Sequence, residues 1–305
     1  MAHAEHAAYF RQMATVFGIT GATGLLGGRV AERLAAAGAE QRLLVRTPAH
    51  APDLPGAQIA RIEGYDDPAT MRAALSGVDT LFLVSGREAP DRVAQHASAI
   101  DSAVAAGVSR IVYLSFVGAA PDATFTFARD HWATEQHIRG TGLRSTFLRD
   151  NLYDAMLPAL VGDDGVIRGP AGDGRVGCVA HDDVADAAAA VLLDARPDID
   201  TDQVYDLTGP EAISLAEAAA QMSRASGRSI AYVPETVDEA YASRASFGAP
   251  QFEVDGWVTS YTSIAAGELE VVSSAVQRLT GHHAQAFAEW LAANPASWER
   301  LLGLP

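Results

Sequence analysis

Short apolar runs alternate with longer amphipathic stretches through the first two-thirds of the chain. The runs VFGIT, LFLV and RIVYL are apolar without alternation, which is typical of strands buried on both faces of a parallel sheet. The stretches between them space their apolar residues as helices do, and glycines follow at their ends. This order predicts right-handed crossovers and a doubly wound sheet. The predicted strands are residues 16–20, 41–46, 58–62, 80–84, 110–114 and 145–148.

The alternation weakens after the sixth predicted strand. A glycine-rich stretch covers residues 162–177, and Asp182 is predicted to cap an alanine-rich helix that runs to about residue 194. Residues 204–207 are predicted to return to the sheet as a strand. Beyond residue 214 the pattern is mostly helical, with one strand candidate at 229–233.

These two patterns predict an α/β protein in two parts. The first is a Rossmann-type dinucleotide-binding domain formed by residues 13–154 plus 178–210. The second is a smaller, mostly helical substrate-binding lobe formed by residues 155–177 plus 211–305. We expect this lobe beside the carboxyl edge of the sheet, because open α/β sheets bind their ligands there.

Charge and composition exclude several classes of protein. The 305 residues carry a net charge of −16, which argues against nucleic acid or an anionic membrane as a partner. No apolar run is long enough to span a membrane. The first twelve residues lack the pattern of a signal peptide, and Met13 would serve equally well as the start. A single cysteine, Cys178, is compatible with a reducing cytoplasm. The expected partner is a small molecule, and a homodimer is compatible with the sequence.

The basic residues carry a sharper constraint, since all 22 are arginine and lysine is absent. This excludes a Schiff base, a Walker-type phosphate lysine and a Tyr-x-x-x-Lys pair, each of which needs a lysine amine.

A glycine-rich turn follows the first predicted strand. Gly21, Gly24 and Gly27 have the spacing G-x-x-G-x-x-G and open the first predicted helix. Such glycines permit a tight turn and a close approach of the backbone to a pyrophosphate, which the helix N-terminus attracts. A purely structural turn is the alternative. The context of strand, turn and helix favours a dinucleotide site.

The end of the second predicted strand indicates which nucleotide is bound. NAD-dependent proteins usually place an acidic residue there to bind the ribose hydroxyls. Here the strand ends in Arg46 and Thr47, which offer donors to a 2′-phosphate. The alternative is a surface arginine. The sequence favours NADP(H) as the cofactor.

A histidine and a glutamate mark the helix after the fifth predicted strand. His131 and Glu135 lie four residues apart and share a helix face. The histidine could donate a proton, and the glutamate could bind ribose hydroxyls or orient the imidazole ring. An ordinary surface pair is the alternative.

Five segments together resemble the NmrA-like group of atypical short-chain dehydrogenases, and within it the type 2 NADPH:quinone oxidoreductases and triphenylmethane reductase. They are GATGLLG, VRTP, LFLVSG, the helical H-x-x-x-E, and FLRDNLY at residues 147–153. The resemblance runs from Met13 to the C-terminal helices. Two departures are Glu63-Gly64-Tyr65-Asp66, where the group often has Gly-Asp-Tyr, and Arg149-Asp150, where it has Arg-Asn.

The resemblance implies roles for particular residues. The residues implied to bind the cofactor are Gly21, Thr23, Gly24, Leu25, Leu26, Gly27, Arg46, Val84, Ser85, Gly86, Ser115 and Glu135. The residues implied to border or lead into the substrate cleft are Phe116, Arg149, Asp150, Asn151 and Tyr153. His131 lies at the position that the absent Tyr-x-x-x-Lys pair would occupy.

We predict an NADPH-dependent oxidoreductase that transfers hydride to a quinone-like or other conjugated or cationic acceptor. Such acceptors need chiefly proximity and a weak proton donor, which His131, Tyr153 or water could supply. The alternative is a non-catalytic NADP-binding redox-sensing regulator, which the resemblance also permits. A sugar-nucleotide epimerase is disfavoured because that chemistry depends on the Tyr/Lys pair.

Other conspicuous residues are given structural interpretations. Cys178 is expected in the core, His181-Asp182-Asp183 at a helix cap, and His282-His283 in a surface turn. Tyr261 is interpreted as packing, with the alternative that it lines the cleft and contacts the substrate. No metal site is predicted.

Overall fold

The computed structural model describes residues 15–194 and 202–303. Within these ranges a parallel sheet of seven strands forms the centre, in the order β3-β2-β1-β4-β5-β6-β9. The strands are β1 (Val16–Thr20), β2 (Glu40–Val45), β3 (Ala57–Arg61), β4 (Thr80–Leu83), β5 (Arg110–Phe116), β6 (Arg144–Asp150), β7 (Val166–Gly169), β8 (Arg175–Val176), β9 (Gln203–Leu207), β10 (Ile213–Ser214) and β11 (Ala231–Pro234). This order confirms the predicted doubly wound sheet.

Helices cover both faces of this sheet. They are α1 (Leu25–Ala36), α2 (Pro68–Leu75), α3 (Arg92–Ala106), α4 (Thr126–Gly140), α5 (Met156–Ala159), α6 (His181–Leu193), α7 (Leu215–Ser226), α8 (Val237–Arg244), α9 (Gln251–Ala265), α10 (Ala275–Thr280) and α11 (Phe287–Ala293). The strand order reverses between β1 and β4, which opens a crevice at the carboxyl ends of these strands. The expectation for the first twelve residues lies outside the described ranges.

The structure corrects one local prediction. Asp182 does not cap α6, since the helix begins at His181 with Ala180 as its N-cap. Asp182 and Asp183 lie instead in the first turn, where carboxylates interact favourably with the helix dipole.

The C-terminal part contains more strand than the sequence predicts. The predicted strand near 229–233 is β11, which pairs in parallel with β7, and β8 pairs with β10 in a second small sheet. These strands have two to four residues each, too short for a clear periodicity. Helix α10 packs on α6 of the central layer. The division into two domains stays a prediction. No helix in the described ranges is long and apolar enough to cross a membrane.

Large apolar and aromatic side chains fill the core on both sides of the sheet, among them Phe82, Tyr113 and Phe147. Cys178 is also buried in an apolar cluster, which confirms the structural interpretation of this residue. Burial raises the pKa of the Cys178 thiol well above its usual value. The thiol is therefore protonated and unreactive at neutral pH.

One carboxyl group in this core has no hydrogen-bonding partner among the described residues. Asp154, just after β6, is 1% exposed, and neither carboxylate oxygen accepts a hydrogen bond. Burial, and then the charges of Asp183 and Glu211, raise the pKa of Asp154 to about 8. The group is therefore largely protonated in the folded protein at neutral pH.

We predict that Asp154 makes the protein less stable as the pH rises. The folded state retains a proton that the unfolded chain loses near pH 4, so the free energy of unfolding falls between about pH 4 and pH 8. In Asp154→Asn this fall should be smaller by about 3 to 4 kcal/mol between pH 5 and pH 8, measured by urea unfolding. Asp173→Asn, at an exposed carboxylate, is the control. Equal pH dependence in both variants and the parent would contradict the assignment.

Candidate active site at the carboxyl edge of the sheet

The glycine turn between β1 and α1 is shaped for close approach of a ligand. Gly21 has a φ of +63°, and a Cβ added to Gly27 would lie 2.3 Å from the carbonyl oxygen of Gly21. Gly24 is the N-cap of α1, and no side chain caps the helix there. The first N–H groups of α1 are thus free to bind an anion, and the turn fits a pyrophosphate.

The side chains of this turn take different positions. Thr23 and Leu25 are exposed, whereas Leu26 is 6% exposed and packs in the core. Leu26 can therefore offer a ligand only its backbone, and Gly27 is buried beneath the turn.

A cavity of about 370 Å³ extends from the glycine turn to the end of β2, and we call it the loop cavity. Gly21, Thr23 and Arg46 line it, together with residues 62–66 and 84–87. Arg46 is exposed at its rim, while Thr47, the N-cap of the short helical turn Pro48–His50, does not line the cavity. The strand end therefore presents Arg46, but not Thr47, to this cavity.

Residues 63–66, where the sequence departs from the group that it resembles, lie in the wall of the loop cavity. The hydroxyl of Tyr65 donates a hydrogen bond to the carbonyl oxygen of Val84 at 2.7 Å. Burial raises the pKa of Tyr65 to about 12, so it acts as a neutral donor. The Tyr65 hydrogen bond thus connects the loop that follows β3 to the loop that follows β4.

The loop after β4 is anchored by helix α3. The N–H of Gly86 donates to Nε2 of His96 at 2.7 Å, and the carbonyl oxygen of Gly86 accepts from Nε of Arg92 at 2.9 Å. Burial lowers the pKa of His96 to about 3, so its ring is neutral, and the hydrogen bond from Gly86 requires Nε2 to be the nitrogen without a proton. Sequence reasoning missed both residues. The signal was present, because α3 begins at the carboxyl edge, where ligand sites form.

A second cavity of about 430 Å³ continues from the first, and we call it the cleft. Ser85 and Arg87 line both cavities. The predicted residues that line the cleft are Ser85, Phe116, His131, Asp150, Asn151 and Tyr153. The residues that sequence reasoning missed include Arg92, Phe125, Phe127, Met156 and Trp257.

His131 lies in the cleft wall, but both of its ring nitrogens are engaged. Nε2 lies 3.3 Å from a guanidinium nitrogen of Arg92, which can only donate, and Nδ1 lies 3.0 Å from the hydroxyl of Tyr113. The ring proton is therefore on Nδ1. Burial and the charge of Arg92 lower the pKa of His131 well below its usual value. His131 is a neutral hydrogen-bonded ring and is not equipped to donate a proton into the cleft.

Glu135 forms a buried ion cluster beneath the cleft. Its carboxylate accepts from the hydroxyl of Ser115 at 2.6 Å and from two guanidinium nitrogens of Arg149 at 2.8 and 2.7 Å. Arg139 adds a contact at 3.2 Å. The structure thus places Ser115, Glu135 and Arg149 together but away from the cleft wall. The alternative of an ordinary surface pair is wrong, because His131 and Glu135 are both buried.

The pairing of β5 with β6 explains this separation. Ser115 pairs with Arg149, and the next residues, Phe116 and Asp150, pair with each other. Successive side chains of a strand point to opposite faces. Ser115 and Arg149 therefore point towards Glu135, while Phe116 and Asp150 point into the cleft.

Asp150 and Tyr153 form a hydrogen-bonded pair in the cleft. The hydroxyl of Tyr153 donates to the carboxyl group of Asp150, and the Tyr153 ring stacks on His181 at 3.8 Å. Asp150 is 5% exposed, and burial raises its pKa to about 7 against the opposing effects of the Tyr153 hydrogen bond and the Arg92 charge. Burial beside Asp150 raises the pKa of Tyr153 well above its usual value. Asp150 can therefore exchange a proton near neutral pH.

The remaining substrate candidates lie at the border with the C-terminal part. Asn151 donates to the carbonyl oxygen of Leu269 at 3.0 Å, which joins the cleft to that part. Tyr261 is 7% exposed and does not line the cleft, so the structure supports the interpretation of Tyr261 as a packing residue. Trp257, one turn earlier on α9, lines the cleft instead.

Outside the cleft, Asp183, Asp186 and His282 bring potential ligand atoms within 4.8 Å of one another. Asp186 is already paired with Arg33, and Nε2 of His282 lies 3.0 Å from it. Arg33 also binds Asp182 at 2.9 Å. These contacts account for the cluster as a network of ion pairs and hydrogen bonds around Arg33.

Comparison with known proteins extends this description. The NmrA-like family profile matches residues 13–246. NAD(P)H azoreductase of Xenophilus azovorans is 32% identical over 284 residues, which are 92% of this chain and 98% of that protein. Quinone oxidoreductase 2 of Escherichia coli strain K12 is 34% identical over 278 residues, or 89% and 96%.

A solved structure gives the same result. The NADPH-dependent quinone oxidoreductase QOR2 of Escherichia coli, complexed with NADPH, superimposes with a TM-score of 0.82 at 33% identity, covering 91% of this chain and 99% of that one. The glycine turn, the sheet order and these similarities together lead to one conclusion. The chain belongs to the NmrA-like family.

Proposed function

We propose that the protein is an NADPH-dependent oxidoreductase that reduces quinone-like and other conjugated small-molecule acceptors. The observation that carries the proposal is the continuity of the loop cavity with the cleft through Ser85 and Arg87. The loop cavity has the glycine turn and the arginine that a nucleotide site requires, and the cleft is lined by aromatic side chains. The two relatives described above are named as an azoreductase and a quinone oxidoreductase, which supports the same function.

The cofactor would be held by the glycine turn, by Arg46 and by residues 84–86, and when bound it supplies a hydride. The turn offers backbone N–H groups to the pyrophosphate. Arg46 offers a cation to the 2′-phosphate, because its guanidinium group is exposed at the rim of the loop cavity. Ser85 and Gly86 lead from the loop cavity to the cleft.

We predict that Arg46→Asp weakens NADPH binding at least tenfold more than NADH binding, because NADH lacks the 2′-phosphate that the guanidinium group would contact. Dissociation constants for both nucleotides, measured by nicotinamide fluorescence, test this. Arg72→Asp is the matched control, since Arg72 is an exposed arginine of α2 that does not line the loop cavity. Equal losses for both nucleotides in Arg46→Asp would show that Arg46 does not bind the 2′-phosphate.

The cleft is suited to a flat acceptor that becomes negatively charged on reduction. Phe116, Phe125 and Trp257 offer aromatic faces and edges to a conjugated ring. Arg92, which is 3% exposed, places a permanent positive charge in the same wall. A positive charge in a buried wall stabilises the oxyanion that develops when a quinone carbonyl is reduced.

We infer that the pair Asp150–Tyr153 supplies the proton that the reduced acceptor needs. Without lysine, the usual partner of a catalytic tyrosine is missing. Asp150 has the pKa of a proton donor that works near pH 7, and it lines the cleft. Tyr153 fixes the orientation of this carboxyl group through its hydroxyl. After each turnover Asp150 takes a proton from solvent.

We predict that quinone reduction is fastest below about pH 6 and declines as the pH rises through about 7, where Asp150 loses its proton. Asp150→Asn keeps an oxygen that accepts from Tyr153 but cannot supply an acidic proton. Its rate constant at pH 6 should be lower by roughly tenfold to a hundredfold, and its decline near pH 7 should disappear. Rates with saturating NADPH and quinone at each pH measure both effects.

The control for this experiment is Asp122→Asn, which removes an exposed carboxylate outside the cleft. It should keep the rate and the pH profile of the parent. A decline near pH 7 that persists in Asp150→Asn would assign the proton to another group.

The alternative, a non-catalytic NADP-binding regulator, has less support, since the compared relatives are named as an azoreductase and a quinone oxidoreductase. Loss of nicotinamide absorbance with a panel of quinones and dyes distinguishes the two. Binding of NADPH without oxidation across the whole panel would favour the regulator.

A further inference from the structure

A third cavity, of about 480 Å³, lies beside the cleft in the C-terminal part, and we call it the side cavity. Its wall includes Leu160, Phe247 and Tyr261. It has no role in the function proposed above. Its volume exceeds that of the loop cavity, so it is large enough to hold a substantial group.

The side cavity and the cleft share part of their walls. Met156, Trp257 and Ser260 line both of them. Met156 begins α5, and the other two lie on one face of α9, three residues apart. A molecule in the cleft therefore needs to pass only these side chains to enter the side cavity.

The shared wall and the mouth of the side cavity expose apolar groups to water. Phe247 is 70% exposed, Met156 38% and Trp257 36%. The Phe247 and Trp257 rings meet edge to face with their centroids 6.1 Å apart. Exposed apolar surface of this kind at a cavity is typical of a binding site.

The charged groups in the wall of the side cavity are already paired. Arg244 binds Glu235 at 2.9 Å and lies over the Tyr261 ring. Arg168 binds Asp164 at 2.6 Å. Because these cations have partners, the cavity makes no demand for an anionic ligand, and its remaining wall favours an apolar one.

We propose that the side cavity holds an apolar chain carried by the acceptor, while the conjugated ring of that acceptor lies in the cleft. The substrate class is then a quinone or related conjugated carbonyl compound with an aliphatic substituent. The inference rests on the proposed function for the position of the ring. It rests on the shared wall and the paired charges for the position of the chain.

The test compares quinones that differ only in a methyl or a decyl substituent. Each buried methylene should lower KM about threefold to fourfold until the side cavity is filled, so the decyl compound should have the lower KM by more than tenfold. Ser243→Trp places a large side chain at the exposed rim of the side cavity. It should abolish most of this difference and leave kcat and KM for the methyl quinone unchanged.

Ser246→Trp is the matched control, because Ser246 is exposed nearby and does not line the side cavity. It should behave as the parent. Equal KM values for the two quinones in the parent, or equal effects of the two tryptophan variants, would overturn the proposal.

A second readout separates this inference from the function on which it rests. Methyl- and decyl-resorcinol resemble the acceptors but cannot be reduced, and their binding can be followed by calorimetry. Preferential binding of decyl-resorcinol that Ser243→Trp weakens would support the side cavity even if no quinone oxidises NADPH. Equal binding of the two resorcinols would overturn it even if quinones are reduced. If the protein is a dimer that Ser243→Trp dissociates, and ligand binding does not depend on the decyl substituent, the surface belongs to an interface with a second copy. That result would also overturn the proposal.

Discussion

The register between β5 and β6 is the constraint on which the active site depends. It sets Ser115 opposite Arg149 and Phe116 opposite Asp150. Because successive side chains alternate, the two faces of this pair of strands carry different kinds of groups. A buried ion cluster around Glu135 stabilises one face, and an aromatic ring and a titratable carboxyl group occupy the other. A shift of one residue would exchange the two sets and bury the carboxyl group beneath the cleft.

The absence of lysine gives this arrangement its importance. A lysine beside a catalytic tyrosine favours loss of the phenolic proton, whereas here burial, and then the neighbouring Asp150, raise the pKa of Tyr153. The carboxyl group, in turn, becomes the more acidic partner, with a pKa of about 7. His131 cannot take over, because Arg92 and Tyr113 engage its two nitrogens. In the proposed mechanism a buried acid takes the place of the cationic lysine.

The sequence predicted the parts of the molecule that follow from local rules. The glycine turn, the seven strands of the central sheet and the exposed Arg46 depend on spacing and on position in a βαβ unit. The anchors of the β4 loop were missed, since the roles of Arg92 and His96 depend on where α3 packs. The position of Glu135 was misjudged for a similar reason. Helical spacing indicates which residues share a face, but it does not reveal that Arg149 arrives from the neighbouring strand.

The central claim is that Asp150 is a protonated carboxyl group in the cleft of the folded protein. Infrared difference spectroscopy of the parent against Asp150→Asn tests it directly, because a protonated carboxyl group has a C=O stretch that the carboxylate lacks. We expect this band to be present at pH 5.5 and to disappear as the pH rises through about 7. If the band is already absent at pH 5.5, Asp150 is ionised in the cleft, and the proton must come from elsewhere.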